Sequence, residues 1–136
     1  MTICTIENII FSYPQYPDPH EFIGWADHGA VQAGELKAEH TDRFGGSINM
    51  YRLVTFPGYR DIGIASMLLA QLTIWGHGLN ATEIICTILP CQLVADTSDH
   101  FERYLQCQGF RHEGLLLKKY LATFVTRTSS PGVSVL

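Results

Sequence analysis

Along the first half of the chain apolar and polar positions alternate in short runs, and in the second half the alternation gives way to a helical period. Ile3 to Phe11 alternates apolar residues with Thr and Glu before closing on an apolar run, which predicts a first strand. Pro14, Pro17 and Pro19 then force an irregular connection, because each fixes its own φ and lacks a backbone donor. Phe22 to Ala26 predicts a second strand, and Asp27-His28-Gly29 supplies turn chemistry. Ala30 to His40 carries two signals. The Val31/Ala33 and Leu36/Ala38 pairs suit a strand with a slip near Gly34, whereas the segment from Glu35 to Glu39 has high helix propensity. The strand is preferred, since Asp27-His28-Gly29 is long enough only to reverse the chain. Thr41 to Gly46 reads as a turn and Ser47 to Phe56 as the next strand, so the front half is an antiparallel meander.

From Ile64 to Trp75 the residues Ile64, Leu68, Leu72 and Trp75 recur at helical spacing and form one apolar face. Gly76-His77-Gly78 is expected to end that helix. The near-continuous apolar run Ile84 to Leu89 suits an interior strand covered on both faces. Thr97 or Ser98 can cap a short helix through Gln108, with Phe101, Tyr104 and Leu105 on one side and Gly109 as its stop. Arg111-His112-Glu113 is read as part of a turn, and Gly114 to Leu121 as another strand. The polar residues Thr126 to Gly132 lead to Val133 to Leu136, which is either a short edge strand or a frayed end. The expectation is a single domain over residues 1–125 with a tail at 126–136. Its class is α/β of the α+β type: a mixed, largely antiparallel central sheet with helices packed on it. The Ile84 strand should lie parallel to the Ser47 strand, joined to it by a right-handed helical crossover.

Composition narrows the function classes. The 136 residues are 46 % hydrophobic and 16 % charged, and the net charge is −4. That balance argues against nucleic acid as a partner, since the longest basic run is Lys118-Lys119. No apolar run is long enough to span a membrane, and the start MTICTIENIIF has neither a basic leader nor a small-residue cleavage site. A cytoplasmic protein is the plain expectation. The 4 cysteines show no C-x-x-C spacing and read as reduced, unpaired thiols, so no metal is expected.

The candidate chemistry lies between the Ser47 strand and the Ile64 helix. Pro57-Gly58 breaks the apolar run, and a short polar turn carries Arg60 and Gly63 into the helix. A strand that empties through a glycine turn into a helix N-terminus leaves backbone N–H groups without intrahelical partners. With the helix dipole behind them, those groups suit a phosphate or pyrophosphate. Arg60 can add a charge-assisted contact, and Gly63 permits close approach of an anion or an unusual dihedral.

This stretch resembles the acyl-CoA-binding motif of the GNAT superfamily of N-acyltransferases, Arg/Gln-x-x-Gly-x-Gly/Ala, which Arg60, Gly63 and Ala65 satisfy. The commoner family form has glycine where this chain has Asp61. Gly109-Phe110 matches a second family feature, a Phe-Tyr-x-x-x-Gly-Phe segment, although Leu105 stands at the position of its tyrosine and Tyr104 precedes it. The resemblance covers residues 47 to 121 well and the first 46 poorly. Family members usually carry one or two helices between their first two strands, where this chain has only its proline-rich connection.

The resemblance implies a GNAT-like fold in which the two parallel strands splay apart around an acyl thioester. It also implies acetyl-CoA, or another acyl-CoA, as co-substrate and direct attack on the thioester by a primary amine of a small molecule or protein. A catalytically inactive acyl-CoA-sensing or protein-interaction module with the same fold is the alternative. The cofactor edge is then Leu53, Val54 and Thr55 on the strand, with Arg60, Asp61, Ile62, Gly63, Ile64, Ala65 and Ser66 at the helix start. Backbone N–H groups around Leu53 to Thr55 would polarise the thioester carbonyl. Tyr104 is the candidate to protonate the departing thiolate, set against a packing role for its hydroxyl. Glu35 and His40 are candidate bases, weighed with Glu39 and Asp42, and His40 has the suitable ordinary pKa. Tyr51 or Arg52 would line the groove. A homodimer is a further expectation, with the apolar face of an exposed strand as its natural surface.

Overall fold

The computed structural model describes residues 5–13, 20–40, 46–88, 98–114 and 116–121, with the side chains of 98–100 left aside. Outside them lie the start of the expected first strand, the proline-rich connection, Asp42, Leu89, the Thr97 cap and the tail at 126–136.

A short 3-10 turn at Ile6–Asn8 precedes β1 (Ile10–Ser12). The expected first strand is thus broken. The Asn8 carboxamide oxygen accepts the Thr5 N–H at 3.1 Å, and the Asn8 N–H donates to the Thr5 carbonyl at 3.0 Å. A side chain that bonds its own neighbourhood competes with ladder formation.

β2 (Glu21–His28) and β3 (Val31–His40) form a hairpin that turns at Gly29, where φ is +62°. The strand reading of residues 31–40 holds, helix propensity notwithstanding: Gly34, Leu36, Ala38 and His40 alternate into the core. The slip lies at Ala33, because Ala26 pairs with Gly34 and Asp27 with Gln32. A Cβ on Gly34 would stand 2.8 Å from Cγ2 of Ile64 and 3.0 Å from the Val54 carbonyl oxygen, so glycine is needed there for close approach of strand and helix.

β4 (Ser47–Thr55) runs antiparallel to β3 and carries a bulge at Tyr51, since Ala38 pairs with Met50 and Lys37 with Arg52. α1 (Ile64–Gly78) crosses to β5 (Glu83–Cys86), which pairs with β4 in parallel, as expected. α2 (Ser98–Cys107) is followed by β6 (Arg111–Glu113) and β7 (Leu116–Tyr120). Arg111-His112-Glu113 is therefore a strand rather than turn, and the reversal falls at Gly114, with φ at +64°. Among the described residues the sheet has seven strands in the order β1-β2-β3-β4-β5-β7-β6, with the β4–β5 pair parallel and the others antiparallel.

Both helix ends differ instructively. α2 stops where expected: Gly109 has φ +98°, Phe110 N–H donates to the Leu105 carbonyl and Gly109 N–H to that of Gln106. This is a Schellman cap. α1 continues through Gly76 and is capped in the same way by Asn80, at φ +58°, with Ala81 N–H donating to Gly76. Gly76 serves packing instead, since a Cβ there would lie 2.7 Å from Cδ1 of Ile48.

The core lies between the sheet and α1. Leu36, Ile48, Leu68, Leu72 and Ile84 are fully buried, each worth about 1.5–3 kcal/mol of apolar transfer. Leu105 and Phe110 join the same cluster and bring α2 into it.

Candidate functional site

The β4–β5 ladder ends early. Met50 pairs with Cys86, and the Met50 carbonyl then accepts both the N–H of Thr87 at 2.9 Å and its hydroxyl at 3.2 Å. Among the described residues, β4 beyond that point pairs with β3 alone. Phe56 N–H donates to the Ala33 carbonyl, so by strict alternation the N–H and C=O groups of Leu53 and Thr55 point away from β3, towards the opened side. The Tyr51 bulge and Thr87 mark where the pairing of β4 with β5 ends among the described residues.

The turn from Thr55 to α1 is shaped by three left-handed residues: Gly58 at φ +93°, Asp61 at +65° and Gly63 at +98°. Asp61 occupies this region despite its Cβ, which costs about 1–2 kcal/mol in a side-chain-bearing residue, somewhat less in Asp. The first intrahelical bond runs from Met67 N–H to the Gly63 carbonyl at 3.1 Å. The N–H groups of Ile64, Ala65 and Ser66 precede it and have no partner within the helix. Apart from its chain neighbours, no described atom lies within 4 Å of where a Cβ on Gly63 would be, so the turn is open at that glycine. Arg60 is exposed, and its Nε reaches back to the Thr55 carbonyl at 3.4 Å. These features fit a pyrophosphate-bearing ligand.

Two contacts absent from the sequence reading hold this loop. Tyr59 OH lies 3.2 Å from Nδ1 of His28, with the rings edge-on, which ties the turn to the β2–β3 hairpin. Ser66 Oγ lies 2.8 Å from Tyr104 OH, which ties the first turn of α1 to α2. Burial pushes the Tyr104 phenol above its ordinary value, and the Ser66 bond acts in the other direction. No spacing rule connects residues so distant in the chain, so neither pair had a sequence signal.

The candidate catalytic residues separate. Tyr104 stands at the α1 start, while Leu105 is fully buried in the core. Glu35 pairs with Val54 beside the opening and is bonded to Arg52. His40 is a correction: it pairs with Ile48 at the far end of β3, is 5 % exposed, and meets the Trp75 ring edge-on at 6.4 Å. The five residue steps from Glu35 to His40 correspond to roughly 17 Å of strand. The even-numbered phase of β3 turns His40 to the helix side, whereas Glu35 faces the other way. Tyr51 shares the face of Glu35, and burial with the charges of Glu21, Glu39 and Glu35 pushes its phenol up. Among the described residues no group of three or more His, Cys, Asp or Glu side chains is placed to hold a metal ion, and no helix is long and apolar enough to cross a membrane.

The architecture is that of the GNAT-family acetyltransferases. The chain is similar to a GNAT family acetyltransferase from Elizabethkingia anophelis with acetyl-CoA bound, at a TM-score of 0.64 and 12% identity, over 85% of this chain and 99% of that one. It is similar to the PaiA N-acetyltransferase of Thermoplasma acidophilum in complex with coenzyme A, at a TM-score of 0.59 and 16% identity, over 74% of this chain and 61% of the other. A GNAT family acetyltransferase from Staphylococcus aureus matches at a TM-score of 0.61 and 14% identity, over 75% and 68% of the two chains. At these identities the likeness is one of fold. No protein-family model matches the sequence, and no curated protein matches it.

Proposed function

We propose that this protein is an acyl-CoA-dependent N-acyltransferase of the cytoplasm, most simply one that moves an acetyl group from acetyl-CoA to a primary amine. The single observation that carries the reading is the strand that leaves its parallel neighbour after Met50 and runs, through Arg60-x-x-Gly63-x-Ala65, into a helix start with three unpartnered N–H groups. Two of the proteins that share this fold hold CoA or acetyl-CoA.

On this reading the N–H groups of Ile64, Ala65 and Ser66, with Arg60, bind the pyrophosphate, and Asp61 and Ile62 shape the turn that presents them. The outward N–H groups of Leu53 and Thr55, with Val54 between them, pair with the pantetheine arm and polarise the thioester carbonyl. An amine must lose its proton to attack, and Glu35, on the open face beside Val54, is the carboxylate closest in the sheet to that edge. Residues 1–125 act as one domain. Calorimetric titration with acetyl-CoA and with CoA tests the reading: micromolar binding of both is expected, and failure of both to bind overturns it.

A second reading keeps the ligand and drops the chemistry. It is favoured by the Tyr104 hydroxyl being engaged by Ser66 and by Leu105 being locked in the core. Thiol release across a panel of amines separates the two: release of CoA supports the enzyme, and binding without release supports a sensing module.

A further inference from the structure

The helices α1 and α2 share one side of the sheet: Gly34 of β3 faces Ile64 of α1, Gly76 of α1 faces Ile48 of β4, and His112, opposite Leu117, is bonded to Glu102 of α2. The other side is described by register. Residues directly opposite one another point the same way, and one row of them crosses six strands: Glu21, Glu39, Asn49, Ile85, Lys118 and Arg111. The row is polarised. Both carboxylates sit on β2 and β3, and both cations on β7 and β6. Like charges directly opposite each other destabilise a sheet, yet this row contains Glu21 against Glu39 and Arg111 against Lys118.

The same side is unusually apolar for a solvent-facing surface. Of the large hydrophobic side chains exposed among the described residues, Tyr51, Leu116 and Tyr120 stand on it within two residues of the row, with Tyr120 58% exposed. Exposed apolar residues gathered on one face mark an interaction surface. The other charges on this side are largely engaged locally: Glu35 with Arg52, Glu83 with Ser47, and Glu113 with Tyr120. Lys37 and Asp27, of opposite sign, complete the set.

We infer that this face is the contact surface for a second copy of the chain, with the acidic end of the row on one copy opposite the basic end on the other. A two-fold axis running along the strands between β4 and β5 produces that arrangement. It places Glu21 against the partner's Arg111, Glu39 against the partner's Lys118, and Asn49 against the partner's Ile85. The pairing is isologous, so each contact occurs twice. All four like-charge juxtapositions are relieved at once. The six strands of the row, about 4.8 Å apart and about five residues long, give a projected area of roughly 500 Å² per copy. That is about 1,000 Å² for the pair, the threshold of a specific interface, and side-chain relief adds to it. Two sheets so packed would lie about 10 Å apart and close to aligned. The row crosses the paired part of β4 and β5, so the opening beyond Met50 and the turn at 57–63 are left clear.

The test reads mass and needs no ligand, so it stands or falls apart from the acyl-CoA reading. In sedimentation at micromolar concentration the protein is expected as a dimer. Glu39→Lys alone and Lys118→Glu alone each set two like-charged pairs face to face, and each is expected to raise the dissociation constant tenfold or more. An equimolar mixture of the two variants restores opposite charges and is expected to form the heterodimer. A monomeric wild-type protein, single variants as dimeric as wild type, or folded single variants that fail to associate when mixed would each overturn the inference. Carbodiimide coupling of the wild-type protein, which needs no variant to fold, supplies a second measurement. Glu39 and Lys118 of one copy are three strand spacings apart, roughly 14 Å, too far for a zero-length link. A cross-linked peptide pair joining them, found in the dimer band by mass spectrometry, supports the arrangement, and its absence from a coupled dimer overturns it.

Discussion

The hydroxyl of Tyr104 lies 2.8 Å from that of Ser66, so the third residue of α1 and the middle of α2 are joined at the place where the helix start presents its free N–H groups. The contact makes the phenol part of the loop's scaffold. It also bears on whether Tyr104 can serve as a proton donor, because its oxygen already has a partner.

For Tyr104→Phe the expected loss of turnover is below about threefold at saturating thioester and amine, far short of the 10²–10⁴ that follows loss of a general acid. The expected cost in stability is about 1 kcal/mol, the usual net value of one hydrogen bond. The pH dependence has a definite sign. A phenol whose folded pKa is raised above its ordinary 10.0 contributes stability in full below that pH and loses it as pH climbs through the higher folded value. Urea denaturation between pH 9 and 11 should therefore show an alkaline fall that is smaller in Tyr104→Phe. A loss of turnover beyond a hundredfold would make this phenol the acid instead.

Arg60→Ala is expected to weaken CoA binding by about 1–3 kcal/mol, or roughly 5- to 150-fold. Its melting temperature should match that of the wild type, because among the described residues the exposed guanidinium makes a long hydrogen bond to the Thr55 carbonyl. Calorimetry and a thermal scan on the same preparation decide it. An unchanged dissociation constant would place the anion elsewhere.

Asp61→Gly should improve both properties. The left-handed φ of +65° suits glycine, and relief of it is expected to stabilise the fold by about 0.5–1 kcal/mol. Removing a carboxylate one residue from Arg60 should also tighten CoA binding severalfold, more so at low salt. Asp61→Val, with a branched Cβ in the same conformation, is expected to destabilise. Denaturant midpoints of the two variants falling on the same side of wild type would contradict this account.

Gly34→Ala is expected to lose about 1–3 kcal/mol by overpacking, since the new methyl meets Cγ2 of Ile64 and the Val54 carbonyl oxygen at or below 3.0 Å. The helix start must move to admit it, so CoA affinity should fall along with stability. A variant that melts lower and binds CoA as well as wild type would separate the Gly34 contact from the site.

Much of the architecture was legible in the pattern of residues. The strand reading of Val31–His40 rested on a turn too short to allow anything but reversal, and chain geometry made it hold against the helix propensity of its own residues. The parallel placement of β5, the Gly109 cap and the position of Arg60 and Gly63 before α1 are likewise local matters of period and turn chemistry. Tertiary structure decided the rest. Gly76 looks like a helix stop until Ile48 is seen to need its missing Cβ, and Asn80 then supplies the left-handed residue. His40 is of a residue type often used as a base, but the parity of β3 and the bulk of Trp75 place it in the core. Tyr104 and Ser66 are 38 positions apart and His28 and Tyr59 are 31, and the row gathers residues from Glu21 to Lys118. Sequence patterns are read over a few turns or a few alternations, so contacts of that span exist only once the sheet order has brought their strands together.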